Sequence, residues 1–147
     1  MEQVTVVCSI WISAMPERVW QAVTEGEQLT LWYSPGSPWE IKELKEGEIV
    51  YFHHSPNKYH SGSEVVTMQA VIESLDSCRR FALRWDLGVL EPAMITTFLL
   101  AAEKDGTQVT ITETGYESDD QTKPTKEGYA MSLENLKALI EGRSLPY

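Results

Sequence analysis

KEGYAMSLENLKALIE, residues Lys126 to Glu141, is the stretch that decides the fold. Tyr129, Leu133, Leu136 and Ile140 recur at i, i+4, i+7 and i+11, which aligns them along one narrow stripe of an α-helix. Met131 projects from nearly the opposite side, so the helix has a distinct inside and outside. Thr125 is placed to cap the first turn, Glu127 suits its positive end, and Gly142 with Pro146 behind it stops the helix. An amphipathic helix whose partners all lie upstream needs a sheet to rest on.

The upstream chain supplies one. Val4 to Ile12 alternates as a strand, with Val4, Val6, Cys8, Ile10 and Ile12 on one face and Val7 and Trp11 on the other. Pro16 opens a helix, PERVWQAVTE, whose inner side carries Val19, Trp20 and Val23 and which Gly26 ends. A second short helix, Glu27 to Tyr33, presents Leu29, Trp32 and Tyr33 before SPGSP, Ser34 to Pro38, breaks it. Six more strands are expected: Trp39 to Leu44, Glu48 to His54, Val65 to Ser74, Cys78 to Trp85, Met94 to Ala102, and Gln108 to Thr114. Turn chemistry joins them at Lys45-Glu46-Gly47, Ser55-Pro56-Asn57, Leu75-Asp76-Ser77 and Lys104-Asp105-Gly106, so consecutive strands form an antiparallel meander. The polar run Glu117 to Lys126 reads as a surface loop leading into the last helix.

The resulting order, β-α-α-β6-α, is an α+β fold in which a curved antiparallel sheet wraps around a long C-terminal helix. Seven strands cannot hide their inner face against one apolar stripe without curling. The concave space left over predicts a pocket between helix and sheet.

Composition bounds the function. The 147 residues read as a single domain, 1–147, that buries roughly two thirds of its unfolded surface. Hydrophobic content of 42% with 23% charged residues is that of a soluble globular protein. Twelve basic and 22 acidic residues give a net charge of −10, which argues against nucleic acid or an anionic membrane as partner. No apolar run approaches a membrane span and no signal peptide is legible, so the expected location is the cytoplasm. Cys8 and Cys78 fall on separate strands and read as reduced thiols.

Four pieces in order carry a family resemblance. They are Ile12 to Leu29, ISAMPERVWQAVTEGEQL; Phe81-Ala82-Leu83-Arg84-Trp85; Gly106 to Glu113 closing with Gly115-Tyr116; and Glu127-Gly128-Tyr129 followed by Leu133, Leu136 and Lys137. Together they resemble the family of activators of heat-shock-protein-90 ATPase, within the START-like (SRPBCC, helix-grip) superfamily. Met15 stands where a small capping residue is usual, and Tyr129 where tryptophan is usual, so the pocket carries a hydroxyl in place of an indole. The resemblance implies the helix-grip fold and offers two kinds of partner: a small molecule in the cavity, or a chaperone in a stress-response setting. The activator it resembles uses such a domain as one part of a larger protein, and no second clamping domain is legible here.

Among polar residues, Glu113 shares a strand face with Val109 and Ile111, the face that should look at the helix. A carboxyl beside an apolar cavity is held toward its neutral form unless a base such as Arg84 pairs with it. Five tryptophans and six tyrosines also suit a cavity lining. From the helix pair and sheet we select Trp32, Trp39, Tyr51, Trp85 and Phe98 as ligand-contacting residues, and with them Glu113. Tyr129 and Leu133 complete the set from the last helix. Thr96, Thr97, Thr110, Thr112 and Thr114 fit exposed strand faces. His53 and His54 point to opposite faces of a strand, and His60 lies in a following loop with no metal-ligand spacing, so neither metal nor cofactor is expected. No nucleophile elbow, phosphate-binding glycine loop or Cys–His pattern is present, and a non-enzymatic role is favoured over a cyclase-like or hydrolytic one. The expectation is a monomer or weak homodimer that binds a hydrophobic or aromatic small molecule, with a co-chaperone role as the alternative.

Overall fold

A computed structural model describes residues 4–54, 66–86, 94–116 and 119–147. Its elements are β1 Val4–Ile12, α1 Pro16–Thr24, α2 Gly26–Trp32, β2 Trp39–Glu40, β3 Ile49–His54, β4 Val66–Asp76, β5 Arg80–Asp86, β6 Ile95–Glu103, β7 Gly106–Tyr116 and α3 Asp119–Glu141. Among the described residues the strands form one antiparallel seven-stranded sheet, ordered β1-β7-β6-β5-β4-β3-β2. The expected meander runs from β2 to β7, and β1 closes it by pairing with β7. The turn before β7 has Lys104 and Asp105 at φ 50° and 62°, which matches the right-handed twist of the flanking strands. Ser55-Pro56-Asn57 and His60 lie outside the described residues.

The last helix packs across β1 and β7, with α1 and α2 against its side. Tyr129, Leu133 and Leu136 are buried as the spacing predicts, in one cluster with Val6, Ile12, Val109 and Ile111. Each such aliphatic side chain contributes about 1.5–3 kcal/mol by leaving water. Ile140 is only half-buried, and a second stripe of Ser132, Asn135 and Ala138 is buried instead. That stripe faces α2: Ser132 donates to the Tyr33 carbonyl, and Asn135 Nδ2 to the Trp32 carbonyl at 3.3 Å. The helix is gripped on two sides, by sheet and by helix, which one stripe could not reveal.

Strand ends shift by a residue or two from the sequence reading, and three larger features differ for a physical reason. The last helix begins at Asp119, seven residues before Lys126, and contains Pro124. Its first turns are polar and carry no apolar period, so they read as loop; Asp120 there favours the positive end of the helix and lies 3.7 Å from Lys123. Thr125 is consequently inside the helix and does not cap it. Gly26 opens α2 and does not close α1; the residue is glycine for close approach and not as a helix stop, since a Cβ there would sit 2.8 Å from the Trp39 carbonyl oxygen. Thr30 completes that junction, its hydroxyl donating to the Gly26 carbonyl at 2.7 Å and accepting the Trp39 N–H at 3.0 Å. The edge strand β2 keeps two residues of the expected six, since Lys42 to Glu46 are exposed and have nothing to bury.

Candidate functional site

The site grows from β7. Its alternation turns Val109, Ile111 and Glu113 inward, and Glu113 is 7% exposed. A regular strand would send Tyr116, three residues on, to the opposite face. Gly115, at φ 106°, prevents this: the β1–β7 register steps from Val6↔Glu113 to Val4↔Tyr116, three residues against two. The bulge brings the Tyr116 hydroxyl onto Glu113 Oε1. From the neighbouring strand Thr96, paired opposite Glu113, donates its hydroxyl to Oε2. From α3 the Tyr129 hydroxyl donates to the same oxygen.

An outer ring of groups holds these donors in place. Trp85 Nε1 donates to the Thr96 hydroxyl at 2.8 Å. The Tyr33 and Tyr129 hydroxyls meet at 3.1 Å, and those of Tyr116 and Thr125 at 3.0 Å. Burial pushes the phenols of Tyr33, Tyr116 and Tyr129 well above the usual tyrosine range, and the Glu113 carboxylate adds to it. All three are therefore proton donors at neutral pH.

In front of this network lies a cavity of about 310 Å³ between α3 and the far half of the sheet. Tyr33, Phe52, His54, Met68 and Tyr129 form its apolar and aromatic walls; Ser34, Thr125 and Ser132 add hydroxyls. Phe52 and Met68 are cross-strand partners of β3 and β4, and His54 stacks on Phe52 with ring centroids 5.5 Å apart. Tyr33 packs edge-on to Trp39 at 5.0 Å and to Phe52 at 5.5 Å.

The residues selected from sequence divide accordingly. Tyr129 lines the cavity and Glu113 stands one hydroxyl behind it. Trp39 and Trp85 flank Phe52, at 4.7 and 6.3 Å. The Trp39 indole N–H is buried with no hydrogen-bond partner among the described residues. Trp32, Phe98 and Leu133 are fully packed core, and the Trp32 indole is committed to the Ala22 carbonyl at 2.7 Å. Tyr51 alternates with the inward Val50 and Phe52, so it lies on the outer face of the sheet, and the selection of Tyr51 for a cavity within is corrected. Thr96 and Thr97, read as exposed, are buried: Thr96 faces inward onto Glu113, and Thr97 alternates to the other face of β6, between Ala82 and Thr112 of the neighbouring strands. Arg84 is exposed and does not pair with Glu113; hydroxyls take that place. His53 turns outward to Glu40 and Thr67, at 2.7 and 2.8 Å, and His54 inward.

Sequence reasoning passed over Tyr33, Phe52, His54, Met68 and Tyr116 as site residues. Phe52 and His54 were detectable from their alternation with Val50. Gly115 inside a strand pattern was the available sign of a bulge.

The family profile described as activator of Hsp90 ATPase homolog 1-like protein matches residues 13–141. This chain belongs to that family. Solved structures show the same fold. The Chromobacterium violaceum protein CV1439 is 25% identical with a TM-score of 0.73, over 93% of this chain and 96% of its own. ChR145 from Cytophaga hutchinsonii is 20% identical with a TM-score of 0.77, over 97% of each chain. The Aha1 dimer from Colwellia psychrerythraea is 18% identical with a TM-score of 0.74, over 94% of this chain and 96% of its own. A comparison with curated proteins finds no match. The family assignment fits the helix-grip architecture, and among the described residues no helix is long and apolar enough to cross a membrane.

Proposed function

We propose that this domain is a cytoplasmic binder of a small apolar or aromatic molecule, held in the cavity between α3 and the sheet. The observation that carries this reading is the cavity's construction. Aromatic walls from Tyr33, Phe52 and Tyr129 stand against a pre-formed, buried hydroxyl–carboxylate network. Ligand sites are typically mostly apolar with a few fixed polar groups. A volume of about 310 Å³ is at the small end of such sites, and suits a one- or two-ring molecule. The network supplies orientation without an evident reactive centre, which favours binding over catalysis. The ligand-contacting set becomes Tyr33, Phe52, His54, Met68 and Tyr129, with Trp39, Trp85 and Glu113 behind them. Native mass spectrometry of protein purified from its own host tests this directly: a bound small molecule should accompany the folded chain and be lost on denaturation.

A second reading is a co-chaperone-like module, supported by the family's description as activators of Hsp90 ATPase. It predicts that the domain stimulates an Hsp90-type ATPase through its acidic outer surface and that substitutions in the cavity leave this unchanged. A monomer or weak homodimer is the assembly we propose; the Colwellia relative is a dimer of the same fold.

A further inference from the structure

The direction of the hydrogen bonds around Glu113 carries information about what the cavity can accept. Each phenol has one proton. Tyr129 gives its proton to Glu113 Oε2, so the 3.1 Å contact with Tyr33 is made with the Tyr33 proton. Tyr116 gives its proton to Oε1, which leaves its contact with Thr125 to the threonine proton. Thr96 also spends its proton on Glu113 and accepts from Trp85. Every hydroxyl in the network therefore points its proton inward toward the carboxylate. What remains on the Tyr33 and Tyr129 oxygens is lone pairs, and both rings line the cavity.

Charge points the same way. Glu113 is more than nine-tenths buried, and among the described residues no lysine, arginine or histidine is paired with it. Buried carboxylates are ordinarily paired or neutralised. Aromatic faces around the cavity attract cations through their ring quadrupoles, and the whole chain carries a net charge of −10. We infer that the cavity takes an organic ammonium ion on an aromatic or apolar body, its N–H groups donating to the Tyr33–Tyr129 hydroxyl pair that Glu113 polarises. The inference rests on the small-molecule reading above and narrows it: at the Tyr33–Tyr129 pair a ligand that ends in a carboxylate or a bare carbonyl meets only lone pairs, with a like charge behind them.

The test is a titration with three probes of matched size, followed by NMR at about pH 8, where an ordinary imidazole is neutral and a primary amine still charged. The probes are 2-phenylethylammonium, 2-phenylethanol and 3-phenylpropionate. The ammonium should bind at least about tenfold more tightly than the alcohol, the low end for a charge-assisted hydrogen bond, with the carboxylate weakest. In Glu113→Gln the preference for ammonium over alcohol should fall to within about twofold. Should that variant not fold, Tyr33→Phe removes an accepting oxygen while leaving all three donors on Glu113, and should cut the preference at least about threefold. Alcohol and ammonium binding alike, the carboxylate binding best, or an unchanged preference in a folded variant would overturn the inference while leaving the cavity a binding site. Binding of none of the three probes would overturn both.

Discussion

The Tyr129 hydroxyl, on the C-terminal helix, donates directly to the Glu113 carboxylate on the last strand. This bond crosses the interface between helix and sheet and joins the core to the cavity wall. It makes Tyr129 structural and Tyr33 more nearly a surface of the site. Tyr129→Phe should destabilise the fold by about 1.5–3 kcal/mol, the range for a hydrogen bond to a charged group, whereas Tyr33→Phe should cost about 0.5–1.5 kcal/mol. Urea unfolding of the two variants checks the order; a larger loss at Tyr33 would contradict it.

Gly115 and Gly128 should respond in opposite directions to alanine. At φ 106° Gly115 holds the bulge that swings Tyr116 onto Glu113, so Gly115→Ala should lose more than about 1 kcal/mol. Gly128 lies inside α3, and a Cβ there meets nothing within 4 Å. Gly128→Ala should gain roughly 0.5–1 kcal/mol from helix propensity. Thermal unfolding measured side by side gives both signs.

These two glycines mark what could be read from the chain. The helix, the meander and the inward face of Glu113 follow from periods of 3.6 and 2, which are local properties of the sequence. Tyr116 was invisible to that reasoning because a bulge breaks the period between it and Glu113. Thr96 reads as an exposed strand residue, and only the pairing of β6 with β7 sets it opposite a buried carboxylate. Tyr33 ends a short helix, and its role depends on α3 arriving from ninety-six residues away. The polar first turns of α3 read as loop for want of apolar residues. Partners distant in sequence and departures from regular period are where reading from periodicity stops.

Leu136 is fully buried and Met131 half-buried on the helix's other side. Leu136→Ala should cost about 2–5 kcal/mol and Met131→Ala much less. Equal losses in denaturant midpoint at constant slope would mean that the helix is seated differently.

Acid should loosen the C-terminus through Glu141. Hydrogen bonds from Lys137, then Arg143 and the Ser13 amide, hold its carboxyl down to about 2 from an ordinary 4.5. A folded-state value below the unfolded one stabilises the native chain above pH about 4.5, and that stabilisation is lost as pH falls toward about 2. The melting-temperature difference between the wild type and Glu141→Gln should therefore be largest near neutrality and close as the pH falls through that window. A difference independent of pH would contradict the assignment.

If the space between α3 and the sheet is a binding cavity, amide NMR during titration with 2-phenylethanol will register a ligand there. Gly128→Leu fills the cavity wall from a position with open space in front of it, on a residue type that helices favour. Glu134→Ala changes an exposed position on the same helix. Saturable shifts are expected, confined to the region of Phe52, Met68, Gly128 and Tyr129, retained in Glu134→Ala and abolished in Gly128→Leu. Shifts that persist unchanged in a folded Gly128→Leu variant, or that never appear in the wild type across a panel of small aromatic probes, would contradict a binding cavity there.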